Sequence, residues 1–328
     1  MPGAARGGRV LSTVAIAVSL SGMIVDCFTQ IWDSPAQLGR LEGGSREPPR
    51  IPPVPDGPRR APSAGRDRHL AASRDVDTTI VVGFKSAYLG AEIPNDLVAG
   101  YVRTHPDRLI GFAGIDPVDT AAAIDEMVYA RDELRMKGFS VAPAAQGLHP
   151  SDSRALIVYE RATAYGMPIL FHPGVHVSAD CMLEYAQPVL LDQVAREYPS
   201  LRIIIAHMGY PWVNETLVLL AKHDHVFADI SWLLHQPWQA YQALLSAYQY
   251  GVTDKLLFAS GFPFNSATES IELLYGVNQI CTGTSLPRIP RDKLRGIVER
   301  DALDLLGIEH PRVAGSTASH DVLDEESD

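Results

Sequence analysis

Cysteine is scarce in this chain. Cys27, Cys181 and Cys281 are widely separated, odd in number and without CxxC spacing. That excludes a disulfide framework and a thiolate zinc site, and it reads as reduced thiols in a cytoplasmic protein. Positive charge is also in deficit: 28 Lys and Arg against 39 Asp and Glu leave a formal net charge of −11. Nucleic-acid binding needs a basic footprint, so no nucleic-acid partner is expected. The apolar run Val10–Leu20 is too short for a spanning helix, so no membrane partner is expected either. Neither GxGxxG nor GxxxxGK[ST] follows any strand candidate, which argues against nucleotide binding. No internal repeat of solenoid period is present.

What is abundant is apolar material. Hydrophobic residues make up 46% of 328, enough for one large core. At the N-terminus, Arg6 and Arg9 precede Val10–Leu20, and Ser21 and Gly22 follow, an outline resembling a short signal peptide. The preferred reading is a start nearer Met23, where the first strand opens. Residues 1–22 are thus an extension, and 23–310 form one domain. Residues 47–65 form a proline-rich loop, and 311–328 an acidic, disordered tail.

Eight short apolar runs read as buried parallel strands: Met23–Thr29, Thr79–Phe84, Leu109–Ile115, Gly138–Ala142, Pro168–His172, Arg202–His207, Val226–Ile230 and Leu256–Ser260. Helical periodicity fills the gaps at Asp119–Arg135, Asp152–Tyr165, Ala186–Tyr198, Val213–Lys222 and Trp238–Tyr250. A last helix over Arg291–Leu306 stops at Gly307. Eight strands alternating with helices predict an α/β fold, a single-domain (β/α)8 TIM barrel.

Reactive residues of such barrels lie at the C-terminal strand ends. Strand 1 ends Asp26-Cys27-Phe28-Thr29-Gln30. Alternation would turn Phe28 and Gln30 into the mouth and Cys27 and Thr29 outward. Strand 5 delivers His172, strand 6 His207, and strand 8 ends Ser260-Gly261-Phe262-Pro263. Lys85 after strand 2 is a candidate for a substrate carboxylate. Asp229 near the end of strand 7 could orient a neighbour or cap Ser231. His149 and the aromatic residues Trp212, Trp232, Phe262 and Phe264 are candidates for the rim, whereas His223 and His225 read as structural.

Over residues 23–308 the chain resembles the amidohydrolase-related family of the metal-dependent hydrolase superfamily, in its aminocarboxymuconate-semialdehyde decarboxylase-like branch. Ile24–Asp33, His105–Pro117, Gln146–Asp152, Phe171–Gly174, Ile205–Trp212, Phe227–Ser231, Leu257–Phe264 and Ile289–Ile308 carry the resemblance. It implies a strand 1 His-x-His, a metal-binding histidine on strand 5, an acid–base histidine on strand 6 and an aspartate on strand 8. Only His172 and His207 match. Phe28, Gln30 and Gly261 stand at the other three positions.

A catalytic zinc keeps three protein ligands and an open position. Two imidazoles without an anionic ligand predict no tightly bound metal, at most a weak zinc or other divalent ion. His176 could complete a three-imidazole site with His172 and His207, but a loop histidine is more often solvated. The resemblance then implies a hydrolase or decarboxylase of a small carboxylated or lactone-type compound. His207 would be the acid–base group and His172 would orient the substrate, with Lys85, His176, Gln30 and Trp212 as substrate contacts. The alternative is a catalytically inactive barrel that binds a ligand or partner. Restoring Phe28→His, Gln30→His and Gly261→Asp together is expected to regain metal binding in part. A homodimer is compatible with this size of barrel.

Overall fold

The computed structural model describes residues 22–39, 63–173 and 180–311. The expectations for most of the N-terminal extension, most of the proline-rich loop and the acidic tail lie outside these residues, as does His176.

Eight parallel strands form one sheet in sequence order. They are β1 (Val25–Thr29), β2 (Thr78–Val82), β3 (Leu109–Gly114), β4 (Gly138–Val141), β5 (Ile169–Phe171), β6 (Ile203–Ile205), β7 (Val226–Asp229) and β8 (Leu256–Leu257). All eight expected strands are present, each within or close to its expected range. The sheet closes where Cys27 N donates to Phe258 O at 2.9 Å and Thr29 bridges Phe262 in parallel. The fold is a TIM barrel.

The period-two alternation sorts side chains into two layers. Val25, Ile80, Val82, Ile110, Phe112, Leu170, Ile204, Phe227 and Leu257 meet inside the barrel. Val81, Leu109, Phe139, Val141, Ile169, Ile203 and Ala228 face the helices. Gly138 is required by this packing. A Cβ there would lie 2.5 Å from the Phe112 ring, so only glycine lets that ring fill the barrel. The final helix differs from expectation. It is two helices, Arg291–Val298 and Ala302–Leu306, because Asp301 caps a new N-terminus by accepting from Leu303 N and Asp304 N. Leu303 and Leu306 pack against the inner cluster, and Gly307 ends the helix in the left-handed region. Phe84, expected to end the second strand, instead opens a short strand, Phe84–Ser86, that pairs antiparallel with Ala91–Ile93. No helix among the described residues is long and apolar enough to cross a membrane.

His69, on the helix Arg66–Ala72, ties that helix to the barrel. Its ring is fully buried between Tyr101 Oη and Thr29 Oγ1, each 2.9 Å away. Burial pushes its pKa down to about 4, with nearby Arg108 adding to the effect. The unfolded chain therefore binds a proton that the fold does not, so this residue costs stability as pH falls from about 6.5 towards 4. His69→Ala should lower stability by about 2–3 kcal/mol at pH 8, through two lost hydrogen bonds and a cavity. The loss should shrink at pH 5. Denaturant unfolding at both pH values checks this, and a loss that grows in acid would contradict it.

Candidate active site

A register shift falls within β1. Asp26 pairs with Thr79, but Thr29 pairs with Val81, so three steps on one strand match two on the next. Such a bulge breaks alternation. Cys27, two residues after the inward Val25, does not point outward as expected, and the bulge brings Phe28 into the same inner cluster. Thr29 Oγ1 donates to Ile80 O at 2.8 Å and meets His69.

The bulge sets Phe28 against the two histidines. Its ring stacks on His172 at 5.7 Å between centroids and meets His207 edge-on at 5.2 Å. The two imidazoles are themselves perpendicular, with Nε2 of His172 and Nε2 of His207 3.0 Å apart. His172 follows β5 directly, its backbone N donating to Val141 O. His207 follows β6 in a tight turn and is 8% exposed.

His207 has φ +56° and Met208 φ +49°, left-handed values that L-residues seldom adopt. What holds the first is Asp229. Its Oδ1 accepts from His207 N and Ser231 N, both at 3.0 Å, and from the Ser231 hydroxyl. Ser231 Oγ in turn lies 2.7 Å from His207 Nδ1. The direct His207 Nδ1 to Asp229 Oδ1 distance is 3.9 Å, too long for a hydrogen bond. Ser231 is thus the missed residue of this cluster. Its sequence signal is Asp-x-Ser, Asp229-Ile230-Ser231, at the end of a buried strand.

Two carboxylates are buried here. Burial raises Asp229 to about 6 against the pull of its donors, and raises Asp26 to about 7. Asp26 Oδ1 accepts from Ser260 N at 2.8 Å. Gly261 has φ +71°, and a Cβ on it would lie 3.2 Å from Ser231 Cβ.

The other candidates sit apart from this pair or at its edge. Gln30 is anchored by its backbone N to Phe262 O at 3.0 Å. Lys85 lies in the 84–86 hairpin, its ammonium 3.3 Å from Glu126 and 3.8 Å from Glu92. Trp212 precedes the helix Val213–Lys222, its N donating to Gly209 O. His149 packs on Tyr185, Trp232 on Phe264, and Phe262 on His69. His223 is bound to Asp192 at 2.8 Å. Among the described residues, one grouping of three potential metal donors exists, Asp301, Asp304 and His310, around the last helix.

The amidohydrolase family model matches residues 25–308, nearly the whole barrel. The chain belongs to the amidohydrolase family. A 2-amino-3-carboxymuconate-6-semialdehyde decarboxylase of Dictyostelium discoideum is 25% identical over 134 residues, 36% of this chain and 37% of that relative. The chain thus matches little more than a third of that relative's length. Among solved structures, an uncharacterised TIM-barrel protein of Bordetella bronchiseptica is 20% identical with a TM-score of 0.63, covering 87% of this chain and 98% of that one. A dihydroxybenzoic acid decarboxylase of Polaromonas, solved with bound manganese and the inhibitor 2-nitroresorcinol, is 17% identical with a TM-score of 0.56. It covers 87% of this chain and 97% of that one. At these identities the structures share the fold.

Two outcomes are expected from this geometry. Asp26 is held protonated well above its ordinary range, so its ionisation works against the fold as pH rises from about 4 to 7. Asp26→Asn should gain on wild type across that window, reaching on the order of 2 kcal/mol at pH 8 in denaturant unfolding. A difference independent of pH would refute it. Second, an aspartate at 261 would need a strained backbone and would press on Ser231. The triple variant Phe28→His, Gln30→His, Gly261→Asp should therefore bind zinc more weakly than the same variant carrying Ser231→Gly, as titration calorimetry would show.

Proposed function

We propose that this barrel is an acid–base enzyme, a hydrolase or decarboxylase of a small carboxylated or lactone-type compound, working without a tightly bound metal. The observation that carries the reading is the 3.0 Å pairing of His172 and His207 at the C-terminal ends of β5 and β6. A water or substrate oxygen that takes the place of the Nε2–Nε2 contact meets one imidazole donor, His172, and one imidazole acceptor, His207. Histidine serves both roles near neutral pH. In lactone hydrolysis, His207 takes a proton from water as its oxygen adds to the carbonyl, and returns it to the departing alkoxide. In decarboxylation, the protonated ring supplies a proton to the carbon that loses carbon dioxide. His172 orients the substrate in either case.

The donor set does not suit a divalent metal. Two imidazoles on one zinc sit roughly 3.3 Å apart at bond lengths near 2.0–2.1 Å, so the pair alone approaches such a spacing. The third ligand is what is wanting. Phe28 lies against both rings with no lone pair to offer, and Gly261 supplies no carboxylate. The name of the decarboxylase relative supports a carboxylated substrate. Gln30 and Trp212 stay as candidate contacts at the rim. Lys85 has weaker support, because two carboxylates already hold its ammonium. His176, outside the described residues, is a further candidate contact.

One observation favours a barrel that binds without catalysing. Phe28, on β1, packs its ring against both imidazoles. The test separates the readings. Protein purified without chelator should hold less than stoichiometric metal by elemental analysis, and it should turn over a member of a panel of lactones and carboxylated aromatics. His207→Ala should lower that rate by about 10²–10⁴-fold. A stoichiometric metal that resists dialysis would overturn the metal-free assignment. A rate unchanged by His207→Ala would remove His207 from the chemistry, and binding without turnover would favour the inactive barrel.

A further inference from the structure

Three bonds in a row have a direction. Asp229 Oδ1 already receives two backbone N–H groups, so it is an acceptor and the Ser231 hydroxyl hydrogen points to it. With its hydrogen committed, Ser231 Oγ faces His207 Nδ1 at 2.7 Å as an acceptor. His207 must therefore carry its proton on Nδ1. Its Nε2 then presents a lone pair, 3.0 Å from His172 Nε2, which donates in turn.

The geometry points to Ser231 as a positioning residue that, together with Asp229, holds His207 in the Nδ1-protonated form with the Nε2 lone pair turned towards His172 as the basic nitrogen. This rests on the reading of His207 as the acid–base group. Asp229 cannot do the work alone, since it stands 3.9 Å from the ring nitrogen. The hydroxyl spans that gap.

The surrounding backbone is built around this contact. His207 and Trp232, the residue following Ser231, both take left-handed φ values, +56° and +67°. Non-glycine residues hold such conformations only where neighbours over-determine them, and they gather at functional sites. Gly261 completes the arrangement. Any side chain there would crowd Ser231 Cβ at 3.2 Å, so the glycine that removes a carboxylate from the end of β8 also makes room for the serine. The anionic group of the site thus comes from β7, one hydroxyl removed from the imidazole.

Imidazole nitrogens report their protonation directly in long-range 1H–15N spectra of uniformly 15N-labelled protein, with His207 assigned by loss of its signals in His207→Gln. Wild type at pH 8 should show His207 with a protonated Nδ1 and an unprotonated Nε2. Ser231→Ala should lose that pattern in favour of the Nε2-protonated form or a mixture, and Ser231→Thr, which keeps the hydroxyl, should restore it. An Nε2-protonated His207 in wild type, or the same Nδ1 pattern in Ser231→Ala, would overturn the assignment. The wild-type spectrum decides even if Ser231→Ala does not fold. No substrate is involved, so the two failures are separable. The expected tautomer with no turnover of any tested compound refutes the enzymatic reading alone, and turnover with the opposite tautomer refutes this one alone.

Discussion

Closure of the sheet between β8 and β1 is the constraint on which the rest depends. A parallel sheet with open edges exposes unpaired N–H and C=O groups, and closure removes both edges at once. Here the seam is made by Cys27 N on Phe258 O, Gly261 N on Phe28 O and Gln30 N on Phe262 O. All three bonds fall in or beside the bulge of β1. The residues that close the barrel are therefore the residues that face its mouth. Phe28 and Gly261 are joined by a backbone bond as well as by their place at the site, so a change at either acts on fold and pocket together.

Within that closed frame, the site is assembled from four strand ends and little else. His172 comes from β5, His207 from β6, Asp229 and Ser231 from β7, and Phe28 from β1. Their rigidity follows from the ladder beneath them, where each strand is buried on both faces. Precision has a cost. A wholly buried carboxylate is unfavourable unless hydrogen-bonded, and three donors on a single oxygen of Asp229 offset part of the penalty, burial still raising its pKa to about 6. The same bonds hold His207 in a left-handed conformation. One set of contacts thus acts on both the buried carboxylate and the strained backbone.

Family membership and the local chemistry point in different directions. The amidohydrolase frame extends over residues 25–308, and one solved neighbour carries manganese. Yet the aromatic ring of Phe28 packs on the very imidazoles around which a metal would be organised. A flat apolar ring stabilises a histidine pair by contact and excludes water from one side of it.

Much of the frame was legible in the order of residues alone. Strand identity follows from short apolar runs, and eight of them separated by helical patterns leave a closed parallel barrel as the economical arrangement. Fold placed His172 and His207 at one end without any coordinates, because parallel strands all finish on the same side. The resemblance to a family likewise exposed which positions had changed. Three features needed the tertiary structure. The bulge that sets Phe28 inward beside Cys27 depends on pairing between β1 and β2, which no single-strand pattern contains. The division of the last helix depends on Asp301 finding two backbone N–H groups, a local competition that periodicity does not register. The link from Asp229 through Ser231 to His207 joins residues on adjacent strands across a few ångströms. A sequence lists which donors and acceptors exist, but hydrogen-bond direction is decided by distance, and distance exists only once the barrel has closed.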